Sequence, residues 1–110
     1  TQAQRLTRIC PRVLITGVAA GRGIACVGAD RTTGESLVRT PRVPKSFHGT
    51  GDIFGAVLVG RLLQGNVLPA AAQAAAVFVA DCLKATPDEA DERLGVWLES
   101  VLPQLMQNPE

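Results

Sequence analysis

The spacing of apolar positions changes character after Gly51. Upstream, short apolar runs alternate with glycine and turn residues, as strands do; downstream, apolar residues recur over longer stretches, as helices do. The run Arg12-Val-Leu-Ile-Thr16 ends at Gly17 and predicts a strand buried on both faces, as in a parallel sheet. Gly17, Gly21 and Gly23 surround a predicted loop. The small and β-branched stretch from Gly23 to Asp30, the turn residues Arg31-Thr-Thr-Gly34 and the stretch from Glu35 to Thr40 predict an antiparallel hairpin. Pro41 and Pro44 lack the N–H that a sheet ladder needs, so TPRVPKSFHG reads as an extended connector.

Three helices are predicted beyond it. Ile53, Phe54, Val57, Leu58, Leu62 and Leu63 leave hardly any side of the first one polar, which predicts a buried helix closed by Gln64-Gly65. The second runs from Pro69 to Lys84, with proline in its first turn and alanine at seven positions from 70 to 80, so a close neighbour is expected. The third begins with Thr86-Pro-Asp-Glu89, which has the form of a capping box. Its predicted core face is Leu94, Trp97, Leu98, Val101 and Leu105, with an end or kink near Pro103. The opening TQAQRLTRIC reads as the tail of a helix. This order of elements predicts a mixed α/β fold. A single buried strand needs parallel partners that the hairpin cannot supply, so the sheet is expected to be incomplete.

Composition narrows the class. With 110 residues, 46% hydrophobic and 19% charged, and a net charge of +1, the chain is not of the disordered type and is long enough for one domain or a piece of one. Apolar stretches such as Ile53 to Leu63 are broken by Gly or Arg short of the roughly 20 residues a bilayer span requires. Neither a membrane partner nor a secretory signal is expected. Cys10, Cys26 and Cys82 are far apart with no C-x-x-C pair, so reduced, buried thiols are expected rather than a disulfide framework or zinc site. Residues 1–45 hold eight basic against two acidic side chains, and the remainder holds three against eight. The basic residues are scattered and aromatics are few, which argues against nucleic acid; a small polyanion such as a nucleotide phosphate fits better.

The segment that carries chemistry is Phe47-His-Gly-Thr-Gly-Asp-Ile-Phe-Gly55. Gly49 and Gly51 let backbone N–H groups point into a loop that runs into a helix N-terminus, where unpaired donors and partial positive charge favour an anion. Asp52 is then either a base held beside that anion or simply the cap of the helix. His48 reads as a structural residue or a substrate contact, and Arg22 as a solvated side chain or a phosphate contact.

The string HGTGDIFGAVLVGRLLQG resembles the G-T/A-G-D signature of the ribokinase-like (PfkB-type) small-molecule kinases. With the preceding PRVPKSF it is most similar to bacterial pyridoxal/pyridoxamine kinases, in the order of elements found in the C-terminal, nucleotide-binding part of that family. The resemblance covers nearly the whole chain. It implies an α/β fold: the C-terminal portion of a three-layer α/β/α kinase, with a buried parallel strand, a β-hairpin, three helices and an incomplete sheet. Residues 1–110 would form a single partial domain. It further implies that Asp52 is the general base for the substrate hydroxymethyl group, that Gly49, Thr50 and Gly51 form the anion hole around the γ-phosphoryl group, and that Thr16 and Gly17 approach the ATP phosphates. The implied partners are ATP with Mg2+ and a B6 vitamer, in a cytoplasmic protein that could be a homodimer. Protein ligands for the metal stay unassigned. Relatives acting on hydroxymethylpyrimidine share HGTG but usually carry Cys in place of Asp52, which favours the pyridoxal branch. The alternatives are a hydroxymethylpyrimidine kinase and a non-catalytic nucleotide-binding fragment.

Overall fold

In the computed structural model, residues 2–20, 23–40, 49–87, 89–90, 95 and 97–106 are described. They form α1 (Gln2–Leu6), β1 (Arg12–Ala20), β2 (Gly23–Asp30), β3 (Gly34–Thr40), α2 (Thr50–Leu63), α3 (Leu68–Ala85) and a short 3-10 helix (Leu102–Met106). The three strands make one sheet in the order β1-β2-β3, antiparallel throughout.

The predicted hairpin is present, with Asp30 opposite Gly34 and Cys26 opposite Val38. Its turn is built by Asp30, whose Oδ1 accepts the N–H of Thr32 at 2.7 Å and of Thr33 at 3.2 Å, while Gly34 takes the left-handed φ of +93° that a three-residue hairpin loop requires. Those backbone donors, foremost Thr32, hold the Asp30 carboxyl below the usual carboxylate range despite its partial desolvation, with Arg12 at 3.5 Å helping. Arg31 donates twice to the Thr7 carbonyl, tying the segment after α1 to the hairpin tip.

Two strand expectations change. The apolar run after Arg12 does not stop at Gly17 but continues to Ala20, so Gly17 lies within a strand rather than in a loop. Among the described residues β1 pairs with β2 alone, antiparallel, a pairing not expected of the hairpin, and Val13, Leu14 and Ile15 are only half-buried; the expectation of parallel neighbours concerns strands from outside these 110 residues. Residues 21, 22 and the connector 41–48 lie outside the described residues.

The helices pack on the sheet through small residues. Ala71, Ala72 and Ala75 of α3 are fully buried, so the helix can approach β3 and α2 closely. At the start of α3, Leu68 reaches Gly28, where a Cβ would lie 2.8 Å from the Ser36 hydroxyl and 3.2 Å from Leu68 itself. With 18 residues and a mean hydropathy of 1.3, α3 is long and apolar enough by composition alone to cross a membrane. Its packing against α2 and the strands accounts for that apolarity.

Two joined clusters make the core. One gathers Val57, Ala75, Phe78, Cys82, Leu83 and Val101; the other joins Cys26 and Val38 of the sheet to Ala72 of α3. Phe54 and Leu58 of α2 pack against both. α2 is nevertheless not the all-round buried helix its sequence predicts: Val59 is 54% and Leu63 83% exposed, because sheet and α3 cover only part of its circumference. Its charged Arg61 is buried instead, with Nη1 donating to Gln64 Oε1 at 3.1 Å.

The described parts of the third predicted helix, residues 89–90, 95 and 97–101, are not helical. Thr86 is not its N-cap but the C-cap of α3: its hydroxyl donates to the Cys82 carbonyl at 2.7 Å and accepts the Trp97 N–H at 2.8 Å. Residues 97–101 are non-helical, and Pro103 sits in the 3-10 helix, where its missing N–H costs little. Leu98, Val101 and Leu105 do pack on the core, but Trp97 is 53% exposed rather than buried. Residues 88, 91–94 and 96 of the predicted helix fall outside the described ones.

Candidate functional site

The turn before α2 is shaped by glycine. Gly49 is the N-cap residue at φ +90°, ψ −3°, a left-handed conformation that side-chain-bearing residues adopt only with strain. No side chain caps the helix. The first bond of the helix runs from the Ile53 N–H to the Gly49 carbonyl at 3.0 Å, so Thr50, Gly51 and Asp52 occupy the first three helical positions. Helix geometry leaves their N–H groups without intrahelical acceptors. A Cβ at Gly49 or Gly51 would meet nothing within 4 Å, so the backbone is open to approach on both sides of Thr50.

Asp52 is exposed, at the third helical position. It is therefore not the cap that residue type alone permits; a carboxylate there still gains about 0.3–1 kcal/mol from the helix dipole. N–H donors without intrahelical acceptors and an exposed carboxylate in one turn can hold an anion and accept a proton beside it.

Thr16 and Gly17 form a β-bulge. Ile15 pairs with Val27 and Val18 with Ala25, so two residues of β1 stand opposite Cys26 alone, with Gly17 at φ +72° and both residues exposed. Cys26 belongs to the sheet cluster against which Phe54 packs, and Phe54 follows Asp52 by two residues. Phe54 thus joins the start of α2 to the side-chain cluster that includes Cys26, which stands opposite the bulge in the middle of β2. Phe54 escaped the sequence analysis as anything but a core position; its place immediately after the glycine turn was the available signal.

Other predicted features contribute less. His48 and Arg22 lie outside the described residues. All three cysteines are free, but Cys10 is exposed rather than buried. Burial pushes the Cys26 thiol up, and burial together with the Asp81 carboxylate does the same for Cys82, so both are poor nucleophiles. Among the described residues there is no group of three or more His, Cys, Asp and Glu able to hold a metal, so the implied magnesium has no ligand set there. A cleft of about 180 Å3 runs along the second half of α2 and another of about 200 Å3 sits between the hairpin tip and the start of α3. Neither is lined by Thr16, Gly17 or residues 49–52.

Helices packed on this sheet, with a glycine turn opening the first long helix, make up part of the ribokinase-like α/β kinase fold. Within that class the chain belongs to the phosphomethylpyrimidine kinase family, whose model matches residues 1–96. A candidate phosphomethylpyrimidine kinase from Bacteroides thetaiotaomicron is 32% identical with a TM-score of 0.90; the match covers 96% of this chain and 38% of that one. An orthorhombic form of the same protein, with pyridoxal, superposes with a TM-score of 0.85. Pyridoxal kinase from Lactobacillus plantarum is 27% identical over 86% of this chain and 35% of its own, with a TM-score of 0.77. The chain therefore spans well under half the length of the solved structures it resembles. No curated protein sequence matches it.

Proposed function

We propose that this chain carries the nucleotide side of the active site of an ATP-dependent kinase that phosphorylates the 5′-hydroxymethyl group of pyridoxal, pyridoxamine or pyridoxine. The observation that carries the reading is the Gly49–Asp52 turn: helix N–H groups without intrahelical acceptors, open backbone and an exposed carboxylate within four residues. Asp52 takes the proton from the substrate hydroxyl as its oxygen attacks the γ-phosphorus of ATP and the bond to the β-phosphate oxygen breaks, releasing ADP. Gly49, Thr50 and Gly51 stabilise the charge on the transferring phosphoryl group through fixed N–H donors, which need no reorganisation as the charge moves. Thr16 and Gly17 at the bulge approach the remaining phosphates. Magnesium, for which the described residues offer no cluster of ligands, would supply further charge neutralisation when bound with the nucleotide.

Support for the vitamin B6 substrate comes from likeness to the 32% identical protein solved with pyridoxal and to the 27% identical pyridoxal kinase. A second reading, a hydroxymethylpyrimidine kinase, is favoured by the description of the matching family. The alcohol pocket lies outside these 110 residues in either case. In the full-length protein, Asp52→Asn is expected to lower kcat at least about 10²-fold, the lower end for a general base, with folding unchanged by circular dichroism. A much smaller loss removes Asp52 from that role. Competing pyridoxal against hydroxymethylpyrimidine decides the substrate, and pyridoxal turnover by the 110-residue chain alone would overturn the placement of the alcohol pocket elsewhere.

A further inference from the structure

Among the described residues, the four of the candidate turn have few side-chain anchors, Thr50 alone being partly buried. Gly49 and Gly51 have no side chain, Asp52 is exposed, and no side-chain cap fastens the helix start. Their position relative to the sheet is set by the next side chains along α2. Ile53 packs against the cluster of α2, α3 and Val101, whereas Phe54, half-buried, packs against that cluster and also against the second one, made of Cys26 and Val38 on the sheet and Ala72 on α3. Cys26 is the residue that faces the Thr16–Gly17 bulge. Phe54, two residues after Asp52, is therefore the first side chain of α2 to join the cluster that holds the residue opposite the bulge.

We infer that Phe54 is a positioning residue for the proposed phosphoryl transfer, fixing the first turn of α2, and with it Asp52 and the glycine N–H groups, against the Thr16–Gly17 bulge. This rests on the reading of Asp52 as general base. The physical reason is leverage: a phosphoryl transfer depends on in-line geometry, and a displacement of about 1 Å at the reacting groups can cost about 10²-fold in rate. Leu58 supplies an internal comparison. It packs against the same two clusters, but lies one turn further along α2, about 6 Å from Phe54 at 1.5 Å per residue, and away from Asp52.

The test is steady-state kinetics of the full-length protein with ATP and its preferred alcohol, for Phe54→Ala, Phe54→Leu and Leu58→Ala, each alone and combined with Asp52→Asn. Phe54→Ala is expected to lower kcat and kcat/KM together by about 10- to 100-fold, and Phe54→Leu to restore most of that loss. Leu58→Ala, which opens a comparable gap in the same core, should keep kcat within about twofold of wild type. In the Asp52→Asn background Phe54→Ala should add almost no further loss, because it acts through the base. Wild-type kcat in both Phe54 variants, an equal loss in Leu58→Ala, or full multiplication of the losses would each overturn the inference while leaving Asp52 as the base. If Phe54→Ala does not fold, a few-fold lower kcat in folded Phe54→Leu supports the inference and an unchanged kcat overturns it. Should Asp52→Asn itself have no effect, the general-base reading and this inference fall together.

Discussion

Gly49 and Gly51 have the same residue type and different physical roles. At φ +90°, Gly49 occupies a conformation that costs a side-chain-bearing residue about 1–2 kcal/mol, and since a Cβ there meets nothing within 4 Å the whole penalty is in the backbone. Gly51 lies inside the helix with equally open surroundings, where alanine is favoured by about 0.5–1 kcal/mol. Gly49→Ala should therefore lower stability by about 1–2 kcal/mol, and Gly51→Ala should leave it equal or higher, both read from urea midpoints. Each should weaken ATP binding by calorimetry, Gly49→Ala by moving the donors and Gly51→Ala by placing a methyl group where the anion approaches. A glycine turn ahead of a helix was legible from residue type, but the same residues fit a plain helix cap, and the roles of base and anion hole came only from the resemblance to the kinase signature. That Asp52 stands at the third helical position and not at the cap was not legible, since it turns on the left-handed dihedral of Gly49.

At the scale of the element, Thr86 shows how one side chain can be claimed by the preceding structure instead of the following one. Its hydroxyl is buried, donates to Cys82 of α3 and accepts the N–H of Trp97, eleven residues on. Thr86→Val keeps the shape and leaves the Trp97 N–H without that acceptor, so a loss of about 1–3 kcal/mol is expected, with Thr86→Ser retaining most of the stability in thermal or urea unfolding. Thr86 to Glu89 fits a capping box by residue type, but a Thr hydroxyl can accept an N–H at a helix start or donate to a carbonyl at a helix end, and residue type does not choose between them. The end of α2 was read more securely. Gln64-Gly65 closes it by a Schellman arrangement, with the Asn66 N–H reaching the Arg61 carbonyl at 3.1 Å, the Gly65 N–H the Leu62 carbonyl at 3.0 Å, and Gly65 at φ +95°. A glycine after a run of apolar positions is specific for such a stop. The bulge at Thr16–Gly17 was misread as a strand end for the converse reason: glycine interrupts a strand pattern whether the strand stops or only kinks.

Across the whole molecule, two small clusters joined by Phe54 and Leu58 take the place of one large core, and apolar surface is left uncovered. Val59, Leu63 and Val67 are 54%, 83% and 62% exposed along α2 and the loop after it. Exposed apolar side chains grouped in this way favour association. The 110-residue chain is accordingly expected to self-associate at raised concentration, and Val59→Lys with Leu63→Lys to suppress this without lowering the unfolding midpoint; analytical ultracentrifugation and thermal unfolding would check both. The sequence by itself determined the mixed α/β class, the hairpin, two long helices and the Gly-Thr-Gly-Asp turn. Those follow from local rules: periodicity of burial, the dihedral range of glycine and the missing N–H of proline. Only the tertiary structure decided that β1 runs on through a bulge, that Thr86 caps α3, that one side of α2 stays open and that Phe54 links the turn to the sheet. These depend on which surfaces meet, and a pattern of apolar positions states that a residue is to be covered without stating by what.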